Sequence, residues 1–186
     1  GSNGTAPVAL MVNRARNMYE VEVLAPADHF CQGTVLEGEL VWRQPQERQL
    51  LFLVFDAVAI AGTSLLRESF AARLEAATRV TRWSEELAAM PDAEARVAET
   101  GCLALVHFDP PVVLRPKRFV AAAHAAKVWA ERAAAEHRVD GLVIHRADAG
   151  YVHGTATGAV YKWKPAHTVE GAHSQGAHSS KIIKSN

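Results

Sequence analysis

Several acidic residues sit where β-strands would carry them. Glu37 and Glu39 fall in Val35-Leu36-Glu37-Gly38-Glu39-Leu40-Val41, and the period of two along a strand puts both on one face. Asp56 interrupts Phe52-Leu53-Val54-Phe55-Asp56-Ala57-Val58, and Asp140 opens Asp140-Gly141-Leu142-Val143-Ile144. A carboxylate among apolar neighbours is costly unless it meets a cation, a metal or several N–H donors. An exposed face or a strand end would accommodate each acid without any function. Basic residues show a second pattern: Tyr161-Lys162-Trp163-Lys164-Pro165 alternates two ammonium groups with two aromatic rings. Side by side on one strand face, two lysines repel, and an anion such as a phosphate relieves that cost. The plainer reading is a solvated edge strand guarded by lysine. Taken together, paired acids and paired lysines suit a site that holds a divalent metal and a polyphosphate.

Strands must position most of these groups. Apolar and β-favouring residues over 8–12 and 19–24 flank Asn13-Arg14-Ala15-Arg16-Asn17, which predicts a hairpin. Further strands are expected over 34–42 and 50–60, the latter a near-continuous apolar run of the kind buried on both faces. After Gly62-Thr63-Ser64, Ser64 is placed to cap a helix over 65–80, and a second helical stretch follows over 84–100. Strands over 103–108 and 112–114 flank Pro110-Pro111, an alanine-rich helix is expected over 118–137, and strands over 141–145 and 160–163 close the pattern. Sheet, helices, strand, helix and sheet again imply an α+β fold with mainly antiparallel strands. Residues 1–165 read as one domain and 166–180 as a flexible linker built on Gly171-Ala172-His173-Ser174 and Gly176-Ala177-His178-Ser179, with histidines too poorly spaced for a metal site. Residues 181–186 form a short strand-like patch.

Composition narrows the function. Of 186 residues 49% are hydrophobic and 22% charged, which excludes disorder over most of the chain. Twenty basic residues balance twenty acidic ones, so any anion site must be local rather than a global field. No apolar run approaches the length of a membrane span, and there is no secretory signal pattern. Cys31 and Cys102 read as free thiols, the state expected of an intracellular protein of the nucleus, the cytoplasm or a virus.

Four segments in order carry a resemblance to a known family. Leu36-Glu37-Gly38-Glu39-Leu40-Val41, Phe52-Leu53-Val54-Phe55-Asp56-Ala57-Val58-Ala59-Ile60, Asp140-Gly141-Leu142-Val143 and Lys162-Trp163-Lys164-Pro165 resemble motifs of the covalent nucleotidyltransferases. That superfamily contains the mRNA capping guanylyltransferases and the ATP-dependent ligases. Asp opening the fourth motif and the Lys-Trp-Lys-Pro form of the fifth favour the capping enzymes. The resemblance implies an ATP-grasp-like nucleotidyltransferase domain with antiparallel sheets and flanking helices, and nothing after Pro165 has the strands of the family's OB-fold lid, which would be another domain or a partner chain.

The resemblance also implies the roles. The family's first motif is Lys-x-Asp/Asn-Gly, with the lysine as nucleophile. Asn3-Gly4-Thr5 matches its second half and lacks the lysine, while Ala6 stands where an arginine is usual. Ile182-Ile183-Lys184-Ser185-Asn186 resembles the strand leading into that motif, so joining the two ends would give Lys-Ser-Asn-Gly-Thr. The expectation is a circularly permuted chain, natural or engineered, with Lys184 as nucleophile. A linker from Pro165 to Ile182 reaches at most about 55 Å, at about 3.3 Å per residue, enough to return across the domain. By the same resemblance Lys162 and Lys164 contact phosphate and assist catalysis. Asn3, Gly4 and Glu37 contact nucleotide, Phe55 (with Phe52 as the alternative) stacks on the base, and Glu39 and Asp140 hold Mg2+ or Mn2+. The implied reaction is attack on GTP, then transfer of GMP to a diphosphate RNA 5′ end. Two alternatives stand beside it: a catalytically inactive module binding guanine nucleotide or cap, and a ligase-type adenylyltransferase.

Overall fold

Strand β4, Leu50–Ile60, is the axis of the molecule. In the computed structural model, which describes residues 9–21, 23, 32–43, 50–88 (backbone only over 83–88), 112–154 and 158–165, none of its eleven positions is exposed. One cluster of its side chains, Leu51 and Leu53, packs with Val113 and Val41. Another, Val54 and Ala57, packs with Ala77 and with Leu36, Phe52, Ile60 and Leu65. The continuous apolar run therefore fulfils the expectation of a strand covered on both faces.

Strand β3, Val35–Trp42, pairs antiparallel with β4 from Val35↔Ala59 to Trp42↔Leu50. Two register shifts interrupt the ladder, one between Val35 and Leu36 and one between Glu37 and Gly38, leaving Val58 and Phe55 as extra residues on β4. A two-residue turn, Ala61-Gly62, with φ of 47° and 77°, returns the chain to strand β5, Thr63–Ser64. Positive φ at both positions is the hairpin geometry that glycine favours. Ser64 is thus a strand residue and not the expected helix cap; Ser69 takes that role, its Oγ accepting the Ala72 N–H at 3.3 Å.

The helix that follows, α1 over Phe70–Ala88, is one element where the sequence suggested two. No glycine or proline lies between residues 80 and 84 to break it. Phe70, Arg73, Ala76, Ala77, Val80 and Thr81 are buried among its described side chains, a stripe at helical spacing turned to the sheet. Strand β6, Val113–Pro116, then pairs parallel to β4 from Leu51↔Val113 to Val54↔Pro116. The other pairings between described strands are antiparallel, in line with the expectation of mainly antiparallel strands; at β6 a long connection carrying a helix allows a parallel return.

The stretch expected as one helix over 118–137 is broken into a 3-10 turn (Ala122–His124), helix α2 (Ala125–Ala130) and a second 3-10 turn (Glu131–Ala134), with no buried residue in any of them. Alanine alone supplies propensity but no apolar face to hold a longer helix in place. A hairpin of β1 (Leu10–Val12) and β2 (Met18–Glu20) and a separate antiparallel pair, β7 (Leu142–His145) with β8 (Val160–Trp163), complete the described fold. Asn3, Gly4, Lys184 and both cysteines lie outside the described residues, as do the strand expected over 103–108, the helical stretch expected to run on to residue 100, the expected linker and the expected C-terminal strand. No described helix is long and apolar enough to cross a membrane.

Candidate functional site

Three polar groups of the described residues surround the sequence motifs. The first joins the two late motifs. Pairing of β7 with β8 sets Leu142 opposite Trp163, so Asp140 and Lys164 meet just beyond the strand ends, with Nζ 2.6 Å from Oδ2. Gly141 makes this approach possible: a Cβ there would collide with the Trp163 carbonyl oxygen and lie 2.9 Å from Cγ of Lys164. The hydrogen bond from Lys164 holds the Asp140 carboxyl below its ordinary range. Lys162 is exposed opposite Val143, and no ion pair holds it among the described residues. Trp163 packs edge-on against Trp129 at 5.0 Å, which anchors the other face of β8 to α2.

The second group surrounds Glu39. Lys117, which follows β6, donates from Nζ to Oε2 of Glu39 at 2.8 Å, while its backbone N–H extends the ladder to the Val54 carbonyl at 2.7 Å. His137 lies beside them; burial, then the charge of Lys117, lowers its pKa from the ordinary 6.5. Sequence reasoning missed Lys117 because the strand was expected to stop at Leu114. The signal available was a lysine directly after a buried strand.

The third group is buried. Arg73 grips Asp56 with two parallel hydrogen bonds, Nε to Oδ1 at 2.8 Å and Nη2 to Oδ2 at 2.9 Å. Its remaining terminal nitrogen donates to the carbonyls of Glu68 at 2.7 Å and Ala149 at 3.2 Å, and Asp56 also accepts the Ala57 N–H at 2.8 Å. The strand acid has therefore met its cation, and the pair is structural. Above it His145 stacks on Phe70 at 4.2 Å and meets Phe119 edge-on at 5.4 Å. Burial lowers the His145 pKa, with Arg73 and Lys117 adding to the effect against Asp56.

Glu37 and Glu39 both lie on β3, yet different partners hold them: Lys117 takes Glu39, and the phenol of Tyr151 donates to Glu37. Phe52 fills the space that a side chain at Gly38 would occupy, since a Cβ there would come 2.6 Å from its Cζ. That ring is spent on packing. Phe55, the extra residue of the β-bulge, is half-buried and makes no ring contact among the described residues. No three histidine, cysteine, aspartate or glutamate side chains converge on a metal position among the described residues. Glu39, on β3, and Asp140, just before β7, are single carboxylates, each held by a lysine.

A family model described as "mRNA capping enzyme, catalytic domain" matches residues 3–166. The chain belongs to the mRNA capping enzyme catalytic-domain family. Its chemistry is nucleotidyl transfer in mRNA capping, and the family's substrates are GTP and an RNA 5′ end. Mixed α/β architecture with small antiparallel sheets and few helices is compatible with a capping-enzyme nucleotidyltransferase domain. The matched span contains Glu37, Glu39, Phe55, Asp140, Lys162 and Lys164, and it ends before Lys184.

Proposed function

We propose that the chain is an mRNA guanylyltransferase in which Lys184 is the nucleophile. Its neutral Nζ bonds to the α-phosphorus of GTP while the bond to the β-phosphate bridging oxygen breaks and pyrophosphate leaves. The amine loses one proton to become the lysine–GMP phosphoramidate, which is then attacked by the terminal phosphate oxygen of a diphosphate RNA end; the RNA takes GMP, and the lysine nitrogen takes back a proton as it leaves. The observation that carries this reading is the β7–β8 register, which joins Asp140 to Lys164 and holds Lys162 on the same short sheet, inside a span matched by the capping family.

An ordinary lysine is protonated at neutral pH and cannot attack. Lys162 and Lys164 would favour the neutral nucleophile by like-charge repulsion and would hold phosphate oxygens as negative charge develops. Phe55, which makes no ring contact among the described residues, would stack on the base, and Glu37 would contact the nucleotide. Asn3 and Gly4, read with Lys184-Ser185-Asn186 as a permuted first motif, would approach the α-phosphate. Glu39 and Asp140 would hold a Mg2+ or Mn2+ ion, which when bound with the triphosphate neutralises its charge.

Incubation with α-labelled GTP and magnesium, followed by denaturation, tests the reading. Label that survives denaturation with GTP and is weak with ATP supports it. Label from ATP alone would make the chain a ligase-type adenylyltransferase. Tight GTP binding without surviving label would make it a binding module.

A further inference from the structure

Tyr151 has no place in the motifs, yet the fold delivers its hydroxyl to one of them. It lies 114 positions along the chain from Glu37 and donates to Oε1 of that carboxylate at a partly buried contact. The loop that carries it is fixed at several points. Phe70 and Ala71, at the start of α1, donate their N–H groups to the carbonyls of Ala149 (2.8 Å) and Ala147 (2.9 Å), and the Tyr151 N–H reaches the Leu66 carbonyl at 3.3 Å. Arg73 binds the Ala149 carbonyl, and its guanidinium carbon lies 5.5 Å from the centre of the Tyr151 ring. Because Arg73 is itself held by Asp56, which stands opposite Glu37 in the β3–β4 register, the phenol and the carboxylate are set from one buried anchor.

We infer that Tyr151 is a positioning residue for the nucleotide site, aiming the Glu37 carboxylate at an O–H or N–H donor of the bound nucleotide. A phenol suits this task because it engages one carboxylate oxygen as a neutral donor. It leaves the carboxylate charged and its other oxygen available, whereas a lysine or arginine there would neutralise it. Burial and the Glu37 hydrogen bond push the phenol up to about 12, so it remains a donor throughout the neutral range. The inference rests on the guanylyltransferase reading for the identity of the nucleotide.

Tyr151→Phe removes the hydroxyl and keeps the ring over Arg73. Binding of GTP by equilibrium titration, KM and kcat for covalent labelling, and the melting temperature are measured for the wild-type chain, Tyr151→Phe, Glu37→Gln and the double variant. The expected result is a rise of roughly tenfold in Kd and KM for Tyr151→Phe, with kcat within about twofold and an unchanged fold. The double variant should bind no more weakly than Glu37→Gln alone, because the hydroxyl acts only through that carboxylate. A wild-type chain that binds GTP alongside an equally tight Tyr151→Phe overturns this inference alone, as does a fully additive double variant. A wild-type chain that binds no GTP overturns the guanylyltransferase reading, and this inference with it.

Discussion

Replacing Arg73 with leucine should be among the most damaging single changes to the fold. The guanidinium makes four hydrogen bonds, two to Asp56 and one each to the Glu68 and Ala149 carbonyls, with only 4% of the arginine side chain and 7% of the aspartate side chain exposed. Arg73→Leu leaves the Asp56 carboxylate buried with the Ala57 N–H as its donor and takes the side-chain donor from the Glu68 carbonyl, while the Ala149 carbonyl keeps the Phe70 N–H. Breaking one side of a buried pair costs about 3–5 kcal/mol. For a chain of this size that corresponds to a fall of roughly 6–20 °C in melting temperature, at about 2–4 °C per kcal/mol. Urea titration followed by circular dichroism gives the free energy directly. Replacing both partners, Asp56→Leu with Arg73→Leu, removes the stranded charge and should recover a large part of the loss. A single variant destabilised by less than about 1 kcal/mol, or a double variant less stable than the sum of the two singles, would show that the Arg73–Asp56 pair does not hold the fold in this way.

Other outcomes follow from the same geometry. His145 has its pKa lowered by burial, so the unfolded chain binds the proton more readily. Its stabilising contribution is present above the unfolded value of 6.5 and is lost as pH falls through the lower folded value. His145→Phe, which keeps the stack on Phe70, should flatten the acid limb of a stability–pH profile between about pH 7 and 5, and an unchanged limb would contradict it. Gly141→Ala should force Lys164 away from Asp140, costing roughly 1–3 kcal/mol and abolishing nucleotide labelling, whereas labelling at wild-type level would show that the close approach is dispensable. In a spectrophotometric alkaline titration, one tyrosine should ionise near 12 and move downward in Glu37→Gln; the absence of any such late-titrating phenol would count against the Tyr151–Glu37 contact.

Much of the sheet was legible because its signals are local. The apolar run over 50–60 and the segment over 160–163 became strands with the expected bounds, since burial on both faces and strict alternation each leave a mark on the residues themselves. The N-terminus of α1 was misplaced by five residues because Ser64 and Ser69 are equally good caps, and only the Ala61-Gly62 hairpin assigns Ser64 to a strand. The parallel pairing of β6 depends on how a long connection returns, which no local pattern encodes. Likewise, the acids could be picked out one by one, but their partners could not. Arg73 did carry a signal, a charge on the buried stripe of a helix, which calls for a buried acid such as Asp56. Lys117 and Tyr151 lie in irregular segments 78 and 114 positions from the carboxylates they hold, and only the tertiary fold pairs them.

If Lys184 is the nucleophile, GMP is carried on that side chain, and peptide mapping of the covalent adduct locates it. The chain is incubated with GTP and magnesium, digested under alkaline conditions that preserve a phosphoramidate, and analysed by mass spectrometry. The expected result is one GMP per chain on the peptide containing Lys184, with no adduct in Lys184→Ala and restored labelling only when the lysine is returned. An adduct on another residue, or GTP bound at the site with no adduct at all, would contradict it.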